Sequence, residues 1–532
     1  MSRKIRSLST SFAVLFATAI VLLLSPFSQK TIEAEPPAHR SQPASADLPK
    51  PALPQAAIDS VGPLQAPNQT PQPGTMPASA VSPALATAAP ASVPPGAELH
   101  VTKKGESLPG MVHTYLPKTK YLTGSELEAA IRAANPPLKG IWFKPDQQIV
   151  IPGMLPANFV EHSVPVSKNF EVRAIYMTGT MAGSAKGLEM MREWRKLGGN
   201  SVVFDVKDSD GIVNVPFQHL LSNDKYVPIR NLPKLVNYIH SLDMHAIARI
   251  AVFRDEYLAQ HHPELSVRSR RTGQAWKENG KLVWVDPSNP AIQEYNIALA
   301  KYAAKSGVDE VQFDYVRFPA EGDQKDAQFT FETRHPQWQR SDVIADFLKT
   351  AHGELKPMNV LFSLDVFGVM AWQRPIDLSH TGQDIVKMAQ HCDILSPMIY
   401  PSHFYGMDGY KDPGDAPEHF ISESMERFKL VTKDSGVVLR PWLQAFGWRT
   451  KTYSPEYIRT QVFVAKDKGG IGFLFWNARN DYSKPFTAMP QMKNPAGKYF
   501  RGDDVSSVKQ SQQQKAAAAS AARLGGREQG IM

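Results

Sequence analysis

The sequence predicts an α/β protein: a (β/α)₈ TIM barrel preceded by a small α+β module. Eight short segments rich in β-branched and aromatic residues alternate with amphipathic segments over roughly 310 residues, as in such barrels. No glycine-rich phosphate-binding motif follows the first of these strands, so a doubly wound sheet that binds a dinucleotide is disfavoured. The chain has 532 residues, of which 42% are apolar, and this is enough for a large core.

The amino-terminal residues 1–30 have the composition of an export signal. The basic stretch "MSRKIR" precedes the apolar stretch "FAVLFATAIVLLL", which is shorter than the roughly 20 residues of a membrane-spanning helix. We therefore expect export to the periplasm or the cell envelope. No small-residue cleavage site follows, because "LLLSPFSQK" is bulky, so membrane attachment through an uncleaved anchor stays open as the alternative.

Two segments have compositions that do not support a packed core. Residues 31–97 are dominated by Pro, Ala, Ser, Gln and Thr, and we expect a disordered linker with partly polyproline character. Residues 500–532 are similarly low in complexity, as in "KQSQQQKAAAASAARLGG", and are expected to form a disordered tail.

Residues 98–154 are predicted to form a compact module with the order strand, helix, helix, strand. The module resembles LysM in the stretches "KKGESL", "AAIRAAN" and "FKPDQQIVIPG". That resemblance implies binding of glycans that contain N-acetylglucosamine, such as peptidoglycan. Pro109 and Pro117 depart from the family pattern, because we expect them to interrupt the first helix. A structural adaptor without a ligand is the alternative.

Charge and cysteine content narrow the range of partners. The net charge of +8 and the isoelectric point of about 9.2 suit an anionic envelope polymer or a membrane surface. Nucleic acid is disfavoured, because Lys and Arg are scattered along the chain. The single cysteine, Cys392, excludes an internal disulfide and a CxxC metal site. Neither a metal site nor a cofactor is predicted.

The barrel domain is predicted over residues 168–495. Its strands are "EVRAIYMTG", "SVVFDVKD", "HAIARIAVF", "EVQFDYVRF", "VLFSLDVFG", "DILSPMIYP", "VLRPWLQAF" and "GIGFLFWNA". The helices between them are "GLEMMREWRKLGG", "NLPKLVNYIHSLD", "AIQEYNIALAKYAAKSG", "SDVIADFLKTAHGEL", "GQDIVKMAQHC", "EHFISESMERFKLVTKDSG" and "SPEYIRTQVFVAKDKGG".

The fourth strand, "VDEVQFDYVRFP", carries charges in an apolar setting, although burying an unpaired charge costs several kcal/mol. Side chains alternate along a strand, so Gln312 and Asp314 share one face and Phe313 and Tyr315 the other. With the aromatic face under the helices, the polar face points into the barrel near its carboxyl-terminal mouth, where barrel enzymes hold their active sites. The same alternation directs to that mouth Asp205, Lys207, Arg249, Asp365, Ser396, Met398, Tyr400, Arg440, Trp442, Gln444 and Trp476.

Asp314 and Asp365 are the predicted catalytic residues. Arg249 is expected to pair with Asp314 and keep it ionised, which leaves Asp365 as the protonated group. Glycoside hydrolysis needs such a pair: one acid protonates the leaving oxygen, and the other attacks the anomeric carbon or activates water. The candidates for substrate binding are Asp205, Lys207, Arg249, Gln312, Arg317, Tyr400, His403, Trp442, Gln444 and Trp476, of which the aromatic residues are expected to stack on sugar rings.

The chain resembles the glycoside hydrolase domain family of bacterial exported proteins in five separated motifs: "VDEVQFDYVRFP", "DVKDSDG", "SLDVFG", "SPMIYPSHFYG" and "RPWLQAF". The resemblance extends over about residues 170–493. It implies a barrel distantly similar to α-amylase-type hydrolases and a glycosidase activity. It also carries Asp314 and Asp365 over from their positions at strand ends.

Several polar residues near the mouth have two interpretations. Asp205 and Lys207 either line the substrate cleft or form a structural ion pair, and His403 either contacts substrate or packs its loop. Adjacent histidines point apart, so His261 and His262 are interpreted as loop residues and not as metal ligands. The loop "DVKDSDG" does not fit the ligand spacing of a calcium loop, and "WVDP" is expected to anchor a turn through Asp286.

Two other classes of protein stay open at this stage. A non-catalytic glycan-binding or scaffold protein would use Asp314 and Arg249 only as a buried ion pair. A metal-dependent deacetylase of the envelope would contain zinc, so its zinc content and its response to a chelator would identify it.

Overall fold

The computed structural model of the chain describes residues 93–136, 138–155, 167–223, 227–493 and 496–501. The predicted export segment, most of the predicted linker and nearly all of the predicted tail therefore lie outside the described residues. Within the described ranges, no helix is both long and apolar enough to cross a lipid bilayer.

The module before the barrel has the predicted order of elements. β1 (Ala97–Val101) pairs antiparallel with β2 (Gln148–Pro152), and α1 (Leu108–Tyr115) and α2 (Gly124–Ala134) lie between them in the chain. A small core of the module includes Leu108, Leu127, Ile131, Ile149 and Ile151. The LysM resemblance itself stays a prediction.

The expected interruption of the first module helix was wrong for Pro109. This proline lies in the first turn of α1, where its missing N–H costs no helical hydrogen bond, and Ser107 caps the helix by accepting from the Gly110 N–H. Pro117 lies beyond α1, in a short 3₁₀ turn over Leu116–Lys118. α2 begins with a capping box formed by Thr123 and Glu126.

Eight parallel strands close into a barrel, which confirms the predicted fold class. In chain order, with two short strands outside the barrel, they are β3 (Val172–Met177), β4 (Ser201–Lys207), β5 (His245–Ala251), β6 (Arg268–Ser269), β7 (Glu310–Asp314), β8 (Ala327–Gln328), β9 (Leu361–Phe367), β10 (Ile394–Met398), β11 (Val438–Leu439), β12 (Trp442–Gln444) and β13 (Gly472–Trp476). β13 pairs with β3 and closes the sheet, while β6 and β8 form a separate antiparallel pair between the loops that follow β5 and β7.

The seventh barrel strand is split into β11 and β12. Both halves pair in parallel with β10 on the same side. The break falls at Arg440 and Pro441, because proline has no N–H to donate to the ladder.

Three of the helices that cover the barrel begin with a side-chain cap followed by proline: the helices over Leu232–Ser241, Pro290–Lys305 and Pro455–Asp467 are capped by Asn231, Asn289 and Ser454, which accept backbone N–H groups. The helices that cover the barrel are α3 (Gly179–Ala182), α4 (Ala185–Lys196), α5 (Leu232–Ser241), α6 (Glu256–His261), α7 (Pro290–Lys305), α8 (Phe331–Arg334), α9 (Arg340–Leu355), α10 (Pro375–Thr381), α11 (Ile385–Met388), α12 (Pro417–Val431), α13 (Pro455–Asp467), α14 (Ser483–Lys493) and α15 (Ala496–Tyr499).

Apolar side chains fill both the lumen and the layer under the helices. Phe313 follows the predicted alternation, since its ring stacks on Phe347 of α9 at 5.7 Å. The lumen holds a separate apolar cluster that consists of Phe170, Val172, Ala174, Tyr176, Val203, Ile247, Tyr400, Trp442 and Leu474. The barrel is therefore a packed core and not a pore.

A buried ion pair lies at the amino-terminal end of the lumen. Arg440 Nη1 donates to Glu310 Oε2 at 2.6 Å, and His245 Nε2 lies 3.1 Å from the same oxygen. Both charged side chains are fully buried. Burial alone would raise the pKa of Glu310, but the Arg440 charge and the His245 contact bring it down to about 2.

One lysine of the barrel contacts the module. Lys234 in α5 is buried, and its Nζ donates to the backbone carbonyl of Leu116 at 2.8 Å and to that of Tyr121. Burial lowers the pKa of Lys234 to about 8. This contact ties the segment between α1 and α2 to the barrel.

We predict that Glu310→Gln destabilises the protein by roughly 3–5 kcal/mol, because it leaves Arg440 buried without a countercharge. Urea denaturation at pH 7 would measure this free energy of unfolding. The matched control is Glu354→Gln, which breaks the exposed Lys301–Glu354 pair of 2.7 Å and should cost at most about 1 kcal/mol.

The loss of stability expected for Glu310→Gln also depends on pH, and it should become smaller in acid. The pKa of Glu310 in the folded protein, about 2, lies below its ordinary value of 4.5, so its contribution is complete above the ordinary value and is lost as the pH falls toward 2. The stability gap between native protein and Glu310→Gln should therefore narrow near pH 3, roughly midway through that range. A gap that stays constant from neutral pH down to this point would contradict the assignment.

Candidate active site

Arg249 is the centre of a buried cluster of carboxylates at the carboxyl-terminal mouth. Its Nη1 lies 2.5 Å from Asp205 Oδ1, and its Nη2 lies 2.7 Å from Asp314 Oδ2. Asp208 lies at 3.3 Å and Asp365 at 3.9 Å from guanidinium nitrogens. We call these five residues the Arg249 cluster. One cation thus faces four carboxyl groups.

The parallel register brings these side chains together. Asp205 lies opposite Arg249 across β4 and β5, and Asp314 lies at the end of β7 beside β5. Asp365, in β9, faces Ser396 in the register and shares the lumen face of its strand with Ser363 and Phe367. The sequence-based alternation thus places Asp205, Arg249, Asp314 and Asp365 correctly in one group.

Asp314 is held from both sides. Its Oδ2 accepts from Arg249, and its Oδ1 accepts from the backbone N–H of Tyr315 at 2.6 Å. Tyr315 has a φ of 52°, in the left-handed region that a bulky residue rarely adopts. Such backbone strain is concentrated at functional sites, and here it places an N–H donor against the carboxylate.

Asp365 has the surroundings of a protonated acid. Burial raises its pKa well above the ordinary value, and the Asp314 charge adds to the rise, against the opposing effects of Arg249 and Trp442. Trp442 Nε1 donates to Asp365 Oδ1 at 2.7 Å, whereas Oδ2 is buried and has no hydrogen-bond partner among the described residues. Oδ1 is thus occupied as an acceptor, and Oδ2, which lies 3.9 Å from Arg249, is the oxygen available to carry a proton.

Asp205 is a second carboxyl group with a raised pKa. Burial is the main cause, Arg249 opposes it, and the resulting pKa is about 8. Tyr176, which the sequence analysis did not identify, donates its hydroxyl to Asp205 Oδ2 at 2.5 Å. Asp208 was also missed as a member of the cluster, because alternation along the predicted strand "SVVFDVKD" places it on the face opposite Asp205, whereas β4 ends at Lys207.

The two predicted catalytic groups are close together. Arg249 Nε lies 3.2 Å from Asp314 Oδ2 and 3.9 Å from Asp365 Oδ2, so these oxygens are at most about 7 Å apart. This limit allows the ~5 Å separation of retaining glycosidases and the lower part of the ~6.5–9.5 Å range of inverting ones. Chemically, the pair combines an ion-paired carboxylate with a carboxylic acid.

Aromatic rings line the same end of the lumen. Trp476 stacks on Tyr176 at 4.0 Å and meets Trp442 edge-on at 5.5 Å. Trp442 is only 1% exposed and Tyr400 only 2%, so the expectation that their faces serve as open platforms for sugars was wrong for this structure. Trp442 instead orients Asp365 through its N–H. Trp476 is half-buried, and it is therefore the most exposed of the three predicted sugar-binding rings, Tyr400, Trp442 and Trp476.

The prediction that Lys207 points to the mouth was wrong. A register shift between Asp205 and Lys207 interrupts the alternation, since Asp205 lies opposite Arg249 while Lys207 lies opposite Ile250. Lys207 is fully buried, pairs with Asp255 at 2.8 Å and lies over the ring of Tyr295 in α7. It is a structural ion pair, but its partner is Asp255 and not Asp205.

Four other predicted substrate contacts serve the interior. Gln444 accepts from the Ser402 N–H and donates to Phe446 O and Thr450 Oγ1, so its amide is occupied. Gln312 donates to Ser396, while its buried Oε1 has no hydrogen-bond partner among the described residues. Arg317 is 1% exposed and packs on Trp284 and Phe367, so the prediction that it binds substrate was wrong.

His403 is buried between the rings of Tyr400, Phe446 and Trp448, and burial lowers its pKa to about 3. These contacts favour loop packing for His403.

The remaining polar residues hold loops. His261 stacks on Tyr257 at 4.3 Å, and His262 lies 3.2 Å from Glu264. Asp286 accepts from Ser288 and from the Thr330 N–H, so it joins the loop after β5 to that after β7. No group of three or more His, Cys, Asp or Glu side chains within the described part of the chain is arranged to hold a metal ion.

Comparisons with known proteins point to one family. A family model with the description "Putative glycosyl hydrolase domain" matches residues 174–482, more than half of the chain. No curated protein matches the sequence.

Solved structures with a similar fold include three bacterial proteins. A hypothetical protein from Ruminiclostridium thermocellum ATCC 27405 is 32% identical, with 36% of this chain and 97% of that chain covered and a TM-score of 0.31. The PgaB (BpsB) glycoside hydrolase domain from Bordetella bronchiseptica is 13% identical, with 60% and 99% covered and a TM-score of 0.45. The spore cortex-lytic enzyme SleL from Bacillus megaterium QM B1551 is 12% identical, with 76% and 86% covered and a TM-score of 0.36. With TM-scores below 0.5, these structures do not bear on the reaction.

We predict that Asp365→Asn stabilises the folded protein at pH 7 by on the order of 1 kcal/mol or more. Because the pKa of Asp365 is raised in the folded protein, its ionisation in the unfolded chain lowers stability once the pH exceeds the ordinary value of 3.8. Asparagine removes this penalty and still presents an oxygen to Trp442.

Urea denaturation at several pH values measures the effect, and the gap between the two proteins should shrink as the pH falls toward 4, near the ordinary pKa. Asp412→Asn, at a half-exposed carboxylate on a surface ion pair, is the control and should change stability by less than about 1 kcal/mol. A clear loss of stability in Asp365→Asn at pH 7 would show that the native carboxyl group is ionised.

Proposed function

The chain belongs to this family of glycosyl hydrolase domains, and we propose that its barrel is an exported glycosidase that cleaves a cell-envelope polysaccharide, with a peptidoglycan-type glycan as the favoured substrate. The observation that carries the proposal is the presence of two carboxyl groups on one guanidinium: Asp314 contacts Arg249 at 2.7 Å, and Asp365, whose pKa burial raises, lies 3.9 Å from it. Glycosidic bond cleavage requires this combination of groups.

Asp365 is the proposed proton donor. Its Oδ2 proton moves to the oxygen of the leaving sugar as the glycosidic bond breaks, and Asp365 becomes a carboxylate. The Trp442 N–H and the Arg249 guanidinium lie beside the new negative charge and stabilise it. The same two contacts orient the carboxyl group before the reaction.

Asp314 is the proposed nucleophile or general base. It either attacks the anomeric carbon, so that water later releases the sugar, or takes a proton from the water that attacks. The Tyr315 N–H and Arg249 hold the carboxylate in one orientation, which lowers the entropy lost in reaching the transition state. On its other side Arg249 donates to Asp205, which in turn accepts from the Tyr176 hydroxyl.

The substrate class is proposed from the module and the charge of the chain. On the module surface, Trp142 is 69% exposed and Ile141 47% exposed. Trp142 lies beside Ser107, so the exposed ring adjoins the "KKGESL" stretch. An exposed indole suits the apolar face of a sugar ring. The net charge of +8 suits an anionic envelope polymer.

A non-catalytic glycan-binding protein is the second candidate. The observation that favours it is burial, since Asp365 is 1% exposed and the side chain of Asp314 is 9% exposed. In that function the Arg249 cluster would only stabilise the barrel. Release of new reducing ends from peptidoglycan by the purified chain separates the two candidates, because a scaffold binds glycan without releasing any.

We predict that Asp314→Asn and Asp365→Asn each lower glycan hydrolysis by roughly 10²–10⁴-fold, because each removes one half of the acid–base pair. Reducing-end release from peptidoglycan and from a panel of envelope glycans measures the rate. Asp412→Asn is the control, because Asp412 belongs to an exposed ion pair with Lys451. Gln312→Glu would add a buried charge and is therefore unsuitable. Full activity in either catalytic variant would remove the assigned residue from the mechanism.

We predict that Trp142→Ala weakens binding of the protein to insoluble peptidoglycan by about 3- to 10-fold, because it removes the exposed ring that contacts the sugar. A pull-down titration measures the dissociation constant. Leu220→Ala is the matched control, since Leu220 is 97% exposed on the barrel and should not contact glycan. Equal affinities of native protein and Trp142→Ala would assign the module to a structural role.

A further inference from the structure

A second group of aromatic rings continues from the catalytic mouth to the protein surface. The ring of His403 lies 5.2 Å from Tyr400 and 5.5 Å from Trp448. Tyr400 is close enough to the catalytic acids for the charges of Asp365 and Asp314 to raise its pKa further, after burial. The loops after β10 and β12 thus form one aromatic wall that leads outward from the carboxyl groups.

Arg449 lies at the outer end of this wall. Its guanidinium carbon is 4.5 Å from the ring centre of Trp448 and 5.1 Å from that of Tyr405, a ring that is 51% exposed. The rings cover the faces of the guanidinium, and the residue itself is exposed. Aromatic contacts of this kind hold an arginine in place without neutralising its charge.

The backbone at Arg449 is fixed in an unusual conformation. Its φ of 48° is in the left-handed region, which is uncommon for residues other than glycine. Gln444 donates to Thr450 Oγ1 at 2.9 Å, and Asp415 accepts from the Lys451 and Thr452 N–H groups. The loop is therefore clamped on both sides of the arginine, and the surrounding structure maintains the strain.

Among the residues that the structure describes, no carboxylate forms an ion pair with Arg449. Lys451, two positions along, pairs with Asp412 at 2.8 Å. His403 adds no competing positive charge, because burial and Arg449 together lower its pKa to about 3. Arg449 is thus a preorganised cation with its hydrogen-bond donors open to a ligand.

We propose that Arg449 recognises a carboxylate on the glycan, so that the substrate is an acidic polysaccharide whose carboxyl group lies at the outer end of the aromatic wall when the glycan is bound. The proposal rests on the proposed function and adds the substrate class. A guanidinium edge offers two parallel N–H donors that match a carboxylate. The exposed Tyr405 ring beside it provides a surface for the sugar that carries the carboxyl group.

Calorimetric titration of glycan into the Asp365→Asn protein tests this without turnover. The ligands are peptidoglycan strands freed of peptide, whose lactyl groups are carboxylates, and the same strands with those groups converted to neutral amides. We expect the acidic strands to bind at least about tenfold tighter, as for a charge-assisted contact, with a ratio that falls at high salt. Adding Arg449→Gln should reduce the ratio to about one, and Arg449→Lys should restore part of it.

Lys451→Gln is the matched control, because it removes a positive charge from the same loop that Asp412 already neutralises, and it should keep the native ratio. Arg449→Asn is a second charge-removing variant, since asparagine tolerates the left-handed backbone, and thermal unfolding verifies that each variant is folded.

The proposal would be overturned if the protein with Arg449 intact bound acidic and amidated strands with equal affinity. It would also be overturned if both charge-removing variants kept a tenfold preference for the acidic strands. Because binding is measured separately from hydrolysis, a protein that prefers the acidic strands but releases no reducing ends would contradict the glycosidase and leave the carboxylate site standing.

Discussion

The buried positive charge of Arg249 is the interaction on which the mouth of the barrel depends. Four carboxyl groups surround this one cation, and a single charge cannot neutralise four anions at a largely buried site. Burial is the main cause of the raised pKa values of Asp205 and Asp365, and the neighbouring carboxylates Asp208 and Asp314 add to the rise. The division of roles between a carboxylate and an acid is thus a consequence of charge number and burial.

The opposite end of the lumen shows the same physics with balanced charges. Glu310 and Arg440 are equally buried, but one anion meets one cation, and the pKa of Glu310 falls to about 2. This end of the lumen therefore holds a matched ion pair and no excess of acids. Excess acid at one end and charge balance at the other agree with the rule that barrel function lies at the carboxyl-terminal ends of strands.

Loops determine how a glycan reaches the acids. The loops after β5 and β7 are joined by the β6–β8 pair and by Asp286, and they cover one side of the mouth. The loops after β10 and β12 form the other side and carry the aromatic wall that ends at Arg449. The two acids proposed for catalysis, Asp314 and Asp365, are 6% and 1% exposed, whereas the Tyr405 ring beside Arg449 is 51% exposed. We therefore propose that a sugar meets the rings at the rim first.

Local sequence pattern determined the eight strands and most of the lumen-facing set, because alternation along a strand is a property of the backbone alone. It placed Asp205, Arg249, Asp314 and Asp365 in one group. It misplaced Lys207, since a register shift in β4 reverses the alternation, and it missed Tyr176 as a partner of Asp205 and the strain at Tyr315. Only the tertiary structure decided which acid keeps its proton and which rings are exposed, because pKa and exposure depend on neighbours that are distant in the chain and close in space.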